Sequence, residues 1–209
     1  KTVDGTATDV LVYSETEIER IGRIGFETAQ KRNKKLCSVE KSNVLDSSRL
    51  WKKVMHRLAS EYPDVELTDM LVDNCVMQIV KNPSQFDVIV TENMFGDILT
   101  DLGAAIAGGM GLAAGANINP ERKFPSMFEP IHGSAPDIAG QGKANPLATV
   151  WSASQMLDFF GYENWGKILI DCIEEVLCEK KVLTADLGGT NSTKEVGDEI
   201  IRKLEVRGA

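Results

Sequence analysis

Along residues 10–107 the apolar positions alternate between two spacings. Ile18, Ile21, Ile24 and Gly25 recur at helical intervals behind Ser14-Glu15-Thr16-Glu17, a spacing that lets serine and glutamate cap a helix reciprocally. This helix is expected to end in the basic run Lys31-Arg32-Asn33-Lys34-Lys35, because cations suit the negative end of a helix dipole. Residues 36–39 predict a strand, and residues 44–61 a second helix stopped before Pro63. Residues 65–72 then predict a strand, 74–81 a helix stopped by Pro83, and 86–91 another strand. Asn93 has the chemistry of an N-cap and opens a helix that runs to Ala107. Strands that alternate with helices place the chain in the α/β class.

Beyond Ala107 the texture changes. Gly108-Gly109-Met110-Gly111 and Gly115 form a small-residue segment, and a domain boundary is placed there, dividing 1–107 from 108–209. The stretch to Pro146 reads as irregular and loop-rich, followed by helices at 147–160, 165–179 and 193–204. The opening residues 1–8 are polar and read as a loop or a cut end, without a signal-peptide pattern.

Charge narrows the partners. A formal net charge of −8 argues against nucleic acid and anionic membrane surfaces, although a bound metal can still invert the field at one site. No apolar run reaches the roughly 18 residues of a membrane span, and a cytoplasmic location is expected. Cys37, Cys75, Cys172 and Cys178 form no CxxC pair. They read as reduced, mostly buried thiols with no catalytic role.

Asp97 and Asp101 carry the sharpest chemical signal. On a helix they face the same way with Cβ atoms roughly 5–6 Å apart. Two like charges that close either bind a hard divalent cation or remain a pair of solvated aspartates near a helix N-terminus. Tyr13 before the capping box could simply pack at a helix start, Lys41 could be a solvated strand-end lysine, and Asp73 could cap the helix from Asn74.

Two long motifs decide among these alternatives. Asn93-Met94-Phe95-Gly96-Asp97-Ile98-Leu99-Thr100-Asp101 and Phe128-Glu129-Pro130-Ile131-His132-Gly133-Ser134-Ala135-Pro136-Asp137-Ile138-Ala139-Gly140, the latter followed by Ala144-Asn145-Pro146, together resemble the isopropylmalate/isocitrate dehydrogenase family. The resemblance runs from about Asp9 to Leu204. It implies that family's α/β fold, which is not a GxGxxG Rossmann fold; the chain has no GxGxxG. It also implies a chain incomplete at its N-terminus, lacking the substrate-carboxylate arginines. Residues 1–107 would form the dimerisation and metal/substrate domain, and 108–209 the C-terminal half of the cofactor-binding domain.

The same resemblance implies an NAD- and divalent-metal-dependent oxidative decarboxylation of a 2-hydroxy dicarboxylic acid. Asp73, Asp97 and Asp101 would hold Mg²⁺ or Mn²⁺. Tyr13 would protonate the enol left after carbon dioxide departs, and Lys41 would accept a proton near the substrate hydroxyl. Gly133, Ser134, Ala135, Pro136 and Asp137 would form the adenosine loop, with His132 beside the adenine, unless it is a structural loop histidine, and Asn145 at the adenine's edge. Asp137 would accept from both ribose hydroxyls and repel a 2′-phosphate, and Ile138 stands where NADP-specific relatives place basic or tyrosine side chains, so NAD is favoured. Glu129 would reach the nicotinamide-side ribose, and Asn43 would help position the nicotinamide or the substrate. Lys41 and Asp73 would enter the partner subunit's site, which implies a homodimer or higher even oligomer.

For the substrate, residues 39–101, including Val44, Leu45 and Trp51, most resemble the family members that act on 3-isopropylmalate, a leucine-biosynthetic acid, and these residues lie nearer the implied chemistry, so that substrate is favoured. Residues 117–128 instead resemble tartrate or D-malate dehydrogenases. A truncated or regulatory, non-catalytic subunit of the family is the competing class, against which the presence of all five chemical side chains counts.

Overall fold

The computed structural model describes residues 2–208. The chain divides into two compact units, Lys1–Leu102 and Gly103–Ala209.

The first unit opens with a short antiparallel ladder of β1 (Thr2–Val3) and β2 (Thr6–Ala7), where a loop or a cut end was expected. Helix α1 (Glu15–Gln30) follows, and its capping box forms as the sequence predicts: the Ser14 hydroxyl accepts from the Glu17 N–H, and the Glu17 carboxylate accepts from the Ser14 N–H. Next come β3 (Lys35–Glu40), α2 (Asp46–Ala59), β4 (Glu66–Leu71), α3 (Val72–Lys81), β5 (Val88–Thr91) and α4 (Asn93–Ala107). The basic run falls outside α1. Lys31 is the C-cap, Lys34 takes a left-handed conformation at φ 62°, and Lys35 already belongs to β3, so the cations turn the chain rather than line the last helical turn.

The three strands β3, β4 and β5 form a parallel sheet in the order β4-β3-β5, with Leu36 opposite both Leu67 and Val88. The central strand β3 is buried from Leu36 to Glu40, as a strand covered on both faces must be. Its side chains divide by parity. Leu36 joins Ile18, Phe26 and Ala29 of α1 and Trp51, Val54, Met55 and Leu58 of α2 in one core. Cys37 and Val39 join Cys75 and Ile79 of α3 and Leu99 of α4 in another. The first core contains a buried polar contact, in which the Trp51 indole N–H donates to the Ser38 hydroxyl at 3.0 Å. All four cysteines are free; Cys37, Cys75 and Cys172 are buried and Cys178 is exposed.

In the second unit, β6 (Ala114–Asn117) and β7 (Met127–Pro130) pair antiparallel, with Gly115 opposite Glu129. This corrects the expectation of an irregular stretch. Four-residue strands rich in Ala, Gly and Pro carry no period-2 apolar signal, and only the ladder defines them. Helices α5 (Leu147–Phe159), α6 (Glu163–Glu179) and α7 (Thr193–Val206) complete the unit around Leu147, Cys172, Ile173, Val176, Val196 and Ile200. Lys203 on α7 is buried between α6 and α7, with Nζ 2.6 Å from Glu179 and 3.4 Å from Glu175. The hydrogen bond to Glu179 raises the Lys203 pKa. Among the described residues no helix is long and apolar enough to cross a membrane.

The Ser38–Trp51 contact yields a direct stability test. Ser38→Ala orphans a buried indole N–H, and Trp51→Phe orphans a buried hydroxyl. Each is expected to cost about 1–3 kcal/mol in urea unfolding. The double variant should lose less than the sum, because no orphaned group remains.

Candidate active site

In open parallel sheets, ligand chemistry collects beyond the carboxyl ends of the strands. All three strands of this sheet carry ionisable residues there. Lys41 follows β3, Asp73 follows β4 and Glu92 follows β5.

Lys41 and Asp73 form an ion pair. The Lys41 ammonium holds the Asp73 carboxyl below its ordinary value, chiefly through the hydrogen bond between them. Asp73 is the second residue of α3 rather than its cap. The N-cap is Leu71, which has no side-chain capping bond.

At the end of β5 the structure also departs from expectation. Asn93 is the first residue of α4, and Glu92 is the cap. The Glu92 backbone carbonyl accepts from the Gly96 N–H, and its carboxylate accepts from the N–H groups of Met94 (2.9 Å) and Phe95 (3.1 Å). The same carboxylate accepts the Tyr13 hydroxyl at 2.9 Å, and the Tyr13 oxygen accepts from the Asn93 N–H at 3.2 Å. Tyr13, Glu92, Asn93, Met94, Asp97 and Leu11 line a cavity of about 290 Å³. Glu92 was invisible to sequence reasoning because glutamate is not among the residues that favour the N-cap. The one available signal was an acidic residue directly between a strand and a helix.

Asp97 and Asp101 lie one turn apart on α4, both exposed. Among the described residues neither carboxylate has a hydrogen-bond or ion-pair partner. Two free carboxylates at that spacing fit a hard divalent cation, which takes oxygen ligands. No group of three or more His, Cys, Asp or Glu side chains is arranged to hold a metal among the described residues, so Asp73 does not join Asp97 and Asp101 within this chain. Asn43 is exposed just beyond Lys41, and neither it nor Lys41 lines the cavity.

The second unit carries the other expected residues. Glu129 is exposed on β7, and His132 is half-buried with its Nδ1 3.0 Å from the Gly133 carbonyl. Gly133, Ser134, Ala135, Pro136 and Asp137 form an exposed turn, followed by a half-buried Ile138. Ala135 is held left-handed at φ 43°, a conformation that L side chains rarely adopt. A side chain at Gly133 would meet no atom of the chain, so nothing inside the protein requires a glycine there. The turn thus faces open space at Gly133 and carries an exposed carboxylate at Asp137. Asn145 differs from the rest. Its amide donates to Asp186 (3.0 Å) and accepts from the Leu147 N–H (3.0 Å), so it already ties the start of α5.

The fold and this edge define an open-sheet α/β protein with a lysine, a tyrosine and several carboxylates at the ligand end. A sequence model described as isocitrate/isopropylmalate dehydrogenase matches residues 1–200. The chain is 52% identical over 196 residues to a 3-isopropylmalate dehydrogenase of Zymomonas mobilis, covering 94% of this chain and 56% of that protein. It is 56% identical over 179 residues to one of Carboxydothermus hydrogenoformans, covering 86% and 45%. Among solved structures, isocitrate dehydrogenase from Methylococcus capsulatus superposes with a TM-score of 0.88 at 39% identity, covering 93% of this chain and 57% of that one. The chain belongs to the isocitrate/isopropylmalate dehydrogenase family and has its fold, as the two motifs implied. It spans about half the length of these relatives.

The Lys41–Asp73 pair gives a pH prediction with a definite sign. Because the Asp73 carboxyl is depressed, the pair's contribution is complete above the ordinary aspartate range and is lost as pH falls through the depressed value. Lys41→Met should return the Asp73 titration, followed by carboxyl NMR, to the ordinary range near 3.8. An unmoved Asp73 midpoint would show that the pair does not persist in solution.

Proposed function

We propose that this chain is part of an NAD- and divalent-metal-dependent decarboxylating dehydrogenase acting on a 2-hydroxy dicarboxylic acid, with 3-isopropylmalate as the substrate. The observation that carries the reading is the roughly half-identical match to 3-isopropylmalate dehydrogenases over nearly the whole chain. The geometry supports it by placing Tyr13 and Asp97 on one cavity.

Asp97 and Asp101 hold the metal with their unpartnered carboxylates, and the turn at 133–138 holds the adenosine end of NAD. When bound, the metal supplies a Lewis acid and NAD⁺ a hydride acceptor. The chain's own groups manage the protons. Lys41 Nζ, in its neutral form, would accept the proton of the substrate hydroxyl directly or through a neighbour, and the Tyr13 hydroxyl would return one to carbon after carbon dioxide leaves. Glu129 and His132 contact the cofactor, and Asn43 helps position the nicotinamide or the substrate. Asp137 is exposed in the turn, with no basic side chain among residues 133–142 to receive a 2′-phosphate, which favours NAD over NADP.

The third metal carboxylate comes from a second subunit. Within one chain Asp73 does not reach Asp97 and Asp101, and the helices that carry them leave Met77, Val80 and Ile98 more than half exposed. A two-fold dimer would bury these side chains and deliver Asp73 of the partner subunit to Asp97 and Asp101. The first unit would then serve dimerisation and metal binding, and the second the cofactor.

Two experiments test the proposal on the protein that carries this chain. In the first, NADH formation is followed with 3-isopropylmalate, D-malate or tartrate. Turnover should require Mg²⁺ or Mn²⁺, stop in EDTA, favour NAD⁺ over NADP⁺ and be fastest with 3-isopropylmalate. Asp97→Asn should weaken Mn²⁺ binding by more than the roughly tenfold typical of losing an outer-shell partner, with the fold intact. Full activity in EDTA would end the metal assignment, and D-malate or tartrate as the better substrate would end the substrate assignment. In the second, inactive Asp73→Asn and Asp97→Asn variants are refolded together. A shared site restores up to about a quarter of the sites, because each mixed dimer carries one intact site. No recovery, with mixed dimers demonstrably present, would refute sharing.

A further inference from the structure

Glu92 has more partners than capping a helix requires. A cap needs one oxygen, and the residues that favour the position are short. Glu92 is 6% exposed, and its carboxylate meets three donors: the N–H groups of Met94 and Phe95 on α4, and the hydroxyl of Tyr13, 79 residues away in sequence. The two backbone bonds fix the carboxylate's direction, so the Tyr13 hydroxyl has one place to point. The Tyr13 oxygen is held from a second side by the Asn93 N–H, and the Tyr13 ring stands edge-on to Trp51 at 6.5 Å and 85°. The phenol is therefore fixed to the first turn of α4, the same helix that carries Asp97 and Asp101.

We infer that Glu92 is the positioning residue for Tyr13, fixing the phenol at the cavity wall and retaining its proton until the hydroxyl turns toward the substrate. This rests on the proposed role of Tyr13 as proton donor. The geometry separates the two halves of that role. The O–H proton engages Glu92, while a lone pair engages Asn93. Turning the O–H outward thus breaks one hydrogen bond and leaves the oxygen in place. The electrostatics agree. Burial raises the Tyr13 pKa and the neighbouring Glu92 carboxylate adds to the rise, against the opposing pull of the Asn93 N–H. The resting phenol stays protonated.

Glu92→Asp distinguishes this role from capping. Aspartate is a favoured N-cap residue, so α4 should keep its start, but its carboxylate is one methylene too short to serve both Phe95 and Tyr13. The protein that carries this chain should keep its circular dichroism. The Tyr13 phenol, read by ultraviolet titration against Tyr13→Phe, should ionise at lower pH than in the unaltered protein. Its kcat should fall roughly tenfold at little-changed KM, part of the hundredfold or more that a general acid contributes. The alkaline limb of the kcat profile should move to lower pH with the phenol. Glu92→Gln, which places an amide N–H₂ against one of the capping donors or against the phenol, should show the same shift if Glu92→Asp fails to fold. An unshifted phenol titration with unchanged kcat would overturn the inference and leave Glu92 a cap. Full activity in Tyr13→Phe would instead overturn the catalytic reading of Tyr13, while a shifted phenol titration in Glu92→Asp would still support the positioning contact.

Discussion

The central strand β3 must be buried on both faces, and the first unit follows from that constraint. A strand between two parallel neighbours exposes neither edge, so its only freedom is which side chains face which layer. Leu36 and Ser38 meet α1 and α2, whereas Cys37 and Val39 meet α3 and α4. The Ser38–Trp51 contact shows how tightly this is enforced. A hydroxyl at a fully buried strand position is costly unless it is paired, and α2 supplies the indole N–H that pairs it.

Parallel pairing also places the chemistry. The three strands run in one direction, so their carboxyl ends coincide along one edge, and Lys41, Asp73 and Glu92 come to that edge from three separate segments. The step from β5 to α4 is the most economical part. One carboxylate closes the strand, caps the helix and holds Tyr13. Where the chain turns from sheet to helix, the backbone N–H groups it frees become the anchors for a side chain.

The carboxylates show a different logic. Asp97 and Asp101 sit together without partners among the described residues, whereas Asp73 is already paired with Lys41. Like charges left close and unneutralised cost stability, which a fold tolerates where a ligand resolves the repulsion. Within one chain no third carboxylate joins that pair among the described residues, and the proposed dimer would supply one.

Much of this was legible from the residues alone. The helical and strand periods located α1 to α4 and α5 to α7 to within a few residues, because each element buries a continuous stripe that only its own period can create. The Ser14–Glu17 capping box was legible because its donors and acceptors are local. The two long motifs fixed the family, and the Asp97–Asp101 spacing fixed a shared helical face. Tertiary structure decided the rest. The ladder of β6 and β7 appears only in pairing, since Gly115 and Pro130 signal turns rather than strands. Asn93 looked like a cap by composition, but β5 runs on to Thr91 and the helix begins at Asn93 itself, so the capping position falls to Glu92. The Asn145–Asp186 contact joins residues 41 positions apart, which no local pattern encodes. The Tyr13–Glu92 contact joins residues 79 positions apart, and no local pattern encodes it. Sequence determined what each segment could become, because propensity, capping and periodicity act over a few residues. Which side chains meet across segments was decided only when the strands paired and their ends came to one edge.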